Sequence, residues 1–385
     1  MEEKLVFLYA MHRYDLIFYA RLVEELNRSY ESFDFRLIIT PNVYSIPYAK
    51  KFIHDVFPNF IEVPILDRNT CGFVRKTISV VRLSAWIRSK LGRESTLIIC
   101  DKSQVLSRCF LKNAQSSVLI QQIEVIDDSY RFDYLRTIRD ALLCIFFRSY
   151  FALWYTNKLS GGTIRAVKLL SKPINTAIVF HSHHKTSPTS FRLTPIGNLM
   201  SSKKIVIFGS RYLTWPFFVQ DKGSQSIERL SSIYKFIHSH FPLHEIVYLP
   251  HPLEIGVEFC FINHIFGGRL KKGETYFSSE HYLYQNRDIS HTFSIGSTSS
   301  FSAFNMGYSA KVFYKMLNFP KDVETAFDQI FSGLPRTFFS FDRDELLNPC
   351  SRNYTSTDDN DLDAFVNAFL LTSELNLADK EDKNG

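Results

Sequence analysis

Short apolar runs alternate with longer stretches of helical spacing along most of this 385-residue chain, and no other feature restricts its fold as much. Leu5–Ala10, Phe35–Thr40, Ile61–Ile65 and Thr96–Cys100 have the length and β-branched content of strands. Leu16–Leu26, Ile46–Phe57 and Phe73–Leu91 lie between them and repeat their apolar residues with helical periodicity. Strands that are apolar throughout need cover on both faces. Helical crossovers supply it, so the alternation predicts βαβ units and a parallel sheet. The same pattern restarts at Lys204–Phe208, continues through a helix over 224–241 and a strand at Ile246–Leu249, and ends with strands near Thr292–Ile295 and Ala310–Tyr314 and a helix at Val323–Phe331.

The length fits two or three domains, and a second one begins at this restart. Residues 187–202, with Pro188, Pro195, Gly197 and several serines, are the expected linker. The expected division is an α/β domain over 1–195 and a second over 203–355. A helix over 356–375, with Leu362, Phe365, Val366, Phe369 and Leu370 on one face, is expected to pack back on the first domain, ahead of a disordered tail over 376–385.

Composition excludes several function classes. The net charge of +6 is modest and dispersed, and no nucleic-acid recognition module is visible. Six cysteines without a CxxC pair fit reduced thiols in the cytoplasm. His181, His183 and His184 lack nearby cysteine or acidic ligands, so no metal is expected. The Met-Glu-Glu-Lys start does not read as a signal peptide, and no apolar run reaches the roughly 18 residues of a membrane span. One stretch, Ala141–Tyr155, is unusually apolar and is flanked by Arg136, Arg139 and Lys158. It reads either as a buried helix or as an interfacial one, which would allow peripheral contact with the cytoplasmic face of an inner membrane.

Three strand ends carry chemistry. Val118–Ile126 runs into Asp127-Asp128-Ser129, which is either an acidic site or ordinary turn and N-cap chemistry. Ile246–Leu249 stops at Pro250-His251-Pro252, where two prolines stiffen the backbone around one imidazole. Thr292–Ile295 passes into Gly296 and then Ser297-Thr298-Ser299-Ser300 ahead of a helix. Small hydroxyl residues at a helix start suit an anion, or serve as a plain cap. Gly209-Ser210, after Lys204–Phe208, is a weaker case of a strand opening onto a ligand.

Taken in order, Asp127-Asp128-Ser129, His251-Pro252 and Ser299-Ser300 resemble the signatures of the bacterial GT-B sialyltransferases, namely D/E-D/E-G, then HP, then SS. That family includes lipooligosaccharide sialyltransferases and capsular polysialyltransferases. Ser129 stands where the family has glycine, and Leu249 where relatives often have lysine. The resemblance implies an α/β GT-B fold with two Rossmann-like domains facing a cleft, the acceptor and catalytic acid on the first and the CMP donor on the second. It implies metal-independent, inverting transfer of sialic acid from CMP-sialic acid to a glycan or glycolipid hydroxyl, with no cofactor. Asp127 is then the expected base, with Asp128 second. His251 is the expected acid or phosphate donor. Pro252, Gly209, Ser210, Gly296, Ser299 and Ser300 line the nucleotide, with Glu280 on ribose. Two alternatives stay open: another donor (CMP-Kdo, CMP-legionaminate or a nucleoside-diphosphate hexose), or a degenerate glycan- or nucleotide-binding module.

Overall fold

Lys4–Ala10 forms strand β1 in the computed structural model, and Val6 through Ala10 are all buried, as a strand covered on both faces must be. The structure describes residues 4–30, 33–64, 73–91, 95–100, 107, 110, 113–114, 116–121, 175–179, 190–191, 193–197, 203–210, 213, 223–331, 334–350 and 360–371. The chain divides into two compact units, Met1–Arg192 with Thr357–Gly385, and Leu193–Ser356.

In the first unit β1 leads to helix α1 (Arg13–Ser29), β2 (Phe33–Ile39), the short helices α2 (Pro41–Tyr44) and α3 (Ala49–Val56), β3 (Ile61–Glu62), α4 (Phe73–Leu91) and β4 (Thr96–Ile99). Strands β5 (Ser116–Gln121), β6 (Asn175–Val179) and β7 (Ser190–Phe191) complete a parallel sheet ordered β3-β2-β1-β4-β5-β6-β7. The chain builds outward from β1 in one direction, then returns and builds in the other, which is Rossmann strand order. Tyr19 of α1 ties the reversal point together: its hydroxyl donates to the carbonyls of Tyr9 at 3.0 Å and Ile98 at 3.3 Å. Burial holds that phenol well above its ordinary pKa.

The second unit runs β8 (Lys204–Phe208), α5 (Gly223–His240), β9 (Glu245–Leu249), α6 (Val257–Ile265), β10 (Leu270–Lys272), α7 (Ser279–Gln285), β11 (Ile289–Ser294), α8 (Thr298–Asn305), β12 (Ser309–Val312), α9 (Lys321–Ile330) and α10 (Arg343–Leu347). Its sheet is parallel and ordered β10-β9-β8-β11-β12, again Rossmann order. On α5, Leu230, Ile233, Tyr234 and Ile237 are buried at helical spacing. The strand expected over Ala310–Tyr314 is shorter: it ends at Val312, and Tyr314–Met316 turn into a 3₁₀ segment that buries the Tyr314 ring.

Part of the segment expected as a linker is structured. Ser190–Phe191 pairs with β6, and the N–H groups of Ile196 and Gly197 both donate to the Met306 carbonyl at 2.9 Å. Gly307 permits this approach: its φ is +90°, and an added Cβ would lie 2.5 Å from Cβ of Pro195. Near the C-terminus, α11 (Asn360–Phe365) continues into a π-type turn over Val366–Leu371 and buries Leu362, Phe365, Val366 and Leu370. Tyr30 of the first unit donates its hydroxyl to the Asp363 carboxylate. Among the described residues, no helix is long and apolar enough to cross a membrane. The 141–155 stretch lies outside the described residues.

Candidate functional site

An open parallel sheet leaves a crevice beyond the carboxyl ends of its strands where the strand order reverses. In the second unit that point lies between β8 and β11, and β9 flanks β8 on the other side. The register is level: Phe208 pairs with Leu249, and Ile207 with Phe293. Adjacent strands are about 4.8 Å apart, so the ends of β9, β8 and β11 lie within about 10 Å along one edge. His251, Gly209-Ser210 and Gly296–Ser300 follow directly from these three ends.

His251 is half-buried, with Pro252 exposed beside it. The Leu253 N–H donates to its Nδ1 at 3.1 Å, and the Glu254 N–H to its carbonyl at 2.9 Å. With Nδ1 accepting, the neutral ring carries its proton on Nε2, the nitrogen suited to donate to an anion. Leu249, at the position where a lysine occurs in the resembled family, is buried, and its Cδ2 would lie 2.3 Å from a Cβ on Gly273.

The β11 turn separates two serines that are adjacent in sequence. Ser300 is fully buried and shares a 2.7 Å hydrogen bond with Ser294. Ser294 Oγ also accepts the Ser297 N–H at 3.0 Å, and Ser297 caps α8 by accepting the Ser299 N–H at 3.2 Å. Ser300 thus braces the turn from inside, while Ser299 is half-buried. Gly296 is fitted against a ring: a Cβ there would lie 2.6 Å from Cε1 of Phe327.

Gly209 and Ser210 sit over a polar cluster that the sequence reading did not find. Ser210 donates its N–H at 3.1 Å and its hydroxyl at 2.6 Å to Oε2 of Glu258, in the first turn of α6. Both Ser210 donors therefore point inward at this carboxylate. Beside them Tyr248 donates its hydroxyl to Glu254 at 2.5 Å, and Glu254 also accepts the Phe259 N–H at 3.0 Å. Burial, reinforced by the charge of Glu254, pushes Glu258 up to about 7 against the pull of the two Ser210 hydrogen bonds. The available signal was the spacing of two glutamates, Glu254 and Glu258, one helical turn apart just after the His-Pro pair.

Gly209 is the steric keystone of this cluster, since a Cβ there would meet the Tyr248 hydroxyl at 2.3 Å and Glu254 Oε2 at 2.8 Å. Tyr248 is fully buried and has no room to retreat. Gly209→Ala is expected to destabilise the second unit by about 1–3 kcal/mol through overpacking. Denaturant unfolding checks this, and an unchanged midpoint would show that the cluster can shift freely.

Glu280 opens α7 and accepts the Ser302 hydroxyl at 3.2 Å, which sets it against the second turn of α8. Its neighbour His281 is 2% exposed, stacks on Phe277 at 4.1 Å between centroids, and accepts the Phe277 N–H at Nδ1 at 3.3 Å. Burial lowers its pKa to about 4 from 6.5. The folded state keeps this ring neutral down to about pH 4, while the unfolded chain protonates it from about 6.5, so acid favours unfolding across that interval. His281→Asn keeps an acceptor for the Phe277 N–H and removes the titration. Relative to this variant, the wild type should lose on the order of 1–2 kcal/mol of stability between pH 7 and pH 5. Parallel stability–pH curves for the two proteins would contradict this.

In the first unit the corresponding reversal point lies between β1 and β4. There the buried Asp15 carboxylate accepts the N–H groups of Met11 at 3.0 Å and His12 at 2.8 Å, shaping the turn that follows β1. Asp127 and Asp128 lie outside the described residues. The strand that leads toward them, β5, ends its described course at Gln121, next to β4.

No protein-family model matches the sequence, and no curated protein matches it. Solved structures do. A UDP-N-acetylglucosamine 2-epimerase aligns with TM-score 0.47 at 12% identity, covering 95% of this chain and 90% of that one. The GT-B domain of a sialyltransferase from Photobacterium damselae aligns with TM-score 0.45 at 12% identity, covering 88% and 98%. A glycosyl transferase of family 9 from Veillonella parvula aligns with TM-score 0.38 at 11% identity, covering 81% of each. Each unit of the present chain is Rossmann-like by its own strand order.

Proposed function

We propose that this protein is an inverting glycosyltransferase of the GT-B type that moves sialic acid from CMP-sialic acid to a hydroxyl of a bacterial surface glycan. One observation carries the reading. The HP histidine, the Gly-Ser turn and the Gly-x-x-Ser-Ser turn occupy three adjacent strand ends at the reversal point of one Rossmann-ordered sheet. That is where such a sheet receives a nucleotide.

The chemistry of these groups suits a CMP-sugar. As the bond to the donor phosphate breaks, negative charge develops on the phosphate oxygens. Nε2 of the neutral His251 donates a hydrogen bond to them, or a protonated His251 gives them its Nε2 proton and becomes neutral, and the surface of the Gly296–Ser299 turn adds hydroxyl and N–H donors. A sugar hydroxyl is a weak nucleophile, so a carboxylate within hydrogen-bond reach removes its proton as it attacks. Asp127 takes that part, with Asp128 as the second choice. Glu280, set beside α8, is the group for ribose hydroxyls.

The test is CMP release from CMP-sialic acid with and without lipooligosaccharide, O-antigen or capsular acceptors. The same assay is repeated with CMP-Kdo, CMP-legionaminate and nucleoside-diphosphate hexoses. Acceptor-stimulated CMP release from CMP-sialic acid supports the reading. Turnover confined to another donor replaces the sialyl part of it. Nucleotide binding without turnover of any donor replaces the enzyme with a binding module.

A further inference from the structure

Glu258 is a buried carboxylate with no cation beside it among the described residues. It is 2% exposed, and while its Oε2 holds Ser210, its Oε1 has no hydrogen-bond partner among the described residues. Among the described residues, the titratable groups that face it are Glu254 from the loop after β9, Tyr248 from β9 and Tyr234 from α5, and none of these is a cation. A buried carboxylate in such company is held in balance between its charged and neutral forms. Its place gives that balance a consequence. Through Ser210 it touches the turn after β8, one of the two strands that flank the sheet's reversal point.

We propose that Glu258 is a positioning residue of the donor side, which holds the Gly209-Ser210 turn and takes up a proton from solvent when an anionic nucleotide settles at the ends of β8 and β11. This rests on the reading of that edge as a nucleotide site. A phosphate bound one strand spacing away adds negative charge to a pair of carboxylates that has no counter-ion among the described residues. Protonation on Oε1 relieves the repulsion and leaves Oε2 in contact with Ser210. Nucleotide affinity then falls as pH rises through the titration of Glu258, whose pKa burial and Glu254 bring to about 7.

The experiment is calorimetry of CMP and UDP binding to the full chain at pH 7, in buffers of differing ionisation enthalpy, with affinity measured from pH 6 to 8. The wild type is expected to take up as much as about half a proton at Glu258 per nucleotide bound. Glu258→Gln is expected to bind nucleotide with that uptake removed and with a flatter dependence of affinity on pH. Equal uptake by the wild type and Glu258→Gln would overturn the proposal while leaving the nucleotide site intact. Absence of CMP and UDP binding by the wild type would overturn the site reading and this proposal with it. Ser210→Ala gives an independent measure should Glu258→Gln fail to fold. Loss of the hydroxyl that stabilises the charged carboxylate should move the pH midpoint of affinity upward, and an unmoved midpoint would overturn the proposal.

Discussion

Asp127→Asn is expected to keep CMP binding and to lose transfer by about 100- to 10,000-fold, the usual cost of removing a general base. Asparagine preserves size and hydrogen-bonding capacity but cannot accept the acceptor's proton at neutral pH. The two neighbouring acids make the comparison with Asp128→Asn necessary. Adjacent carboxylates titrate as a pair, and either one can change the other's pKa without touching substrate. Single-turnover transfer assays alongside CMP binding separate the cases. A large rate loss in one variant with intact CMP affinity identifies the base. Near-wild-type turnover in both removes the acidic pair from the mechanism.

His251→Ala should weaken both binding and rate. A hydrogen bond to a charged group contributes about 1.5–3 kcal/mol, so CMP affinity should fall by roughly 10- to 150-fold. If the same imidazole protonates the leaving phosphate, the rate falls further, by about 100-fold or more. Alanine also leaves the Leu253 N–H without the acceptor it has at Nδ1, so part of any loss comes from a loosened turn. His251→Asn resolves this. Its side-chain oxygen can replace Nδ1, but it offers no imidazole Nε2 to donate or titrate. Recovery of affinity and rate in His251→Asn would reduce the histidine to a shaper of the turn. Failure to recover, with an unchanged melting temperature, assigns the loss to the chemistry of the ring.

The alternation of apolar strands and helices was legible residue by residue, because burial on both faces demands runs such as Val6–Ala10 and Ile205–Phe208 whatever their partners are. The His251 strand end was legible for a local reason too, since prolines on either side restrict the backbone without tertiary help. Strand order was not legible. Which strand lies beside β8 depends on crossovers that local propensity does not encode, and only the sheet itself places β9 and β11 on its two sides.

The same division runs through the site. Residue types and their order along the chain were enough to put an imidazole and a hydroxyl-rich turn just past strand ends. The direction in which the described groups point was decided by packing. Ser299 and Ser300 are adjacent and chemically identical, yet one is half-buried and the other is locked against Ser294, because successive residues of a helix start face different ways. Ser210 turns inward because Glu258, 48 residues later, offers a buried carboxylate that its N–H and hydroxyl both satisfy. A contact at that separation forms only once two strands and a helix are in place, so its existence, and the proton balance it creates, belong to the fold alone.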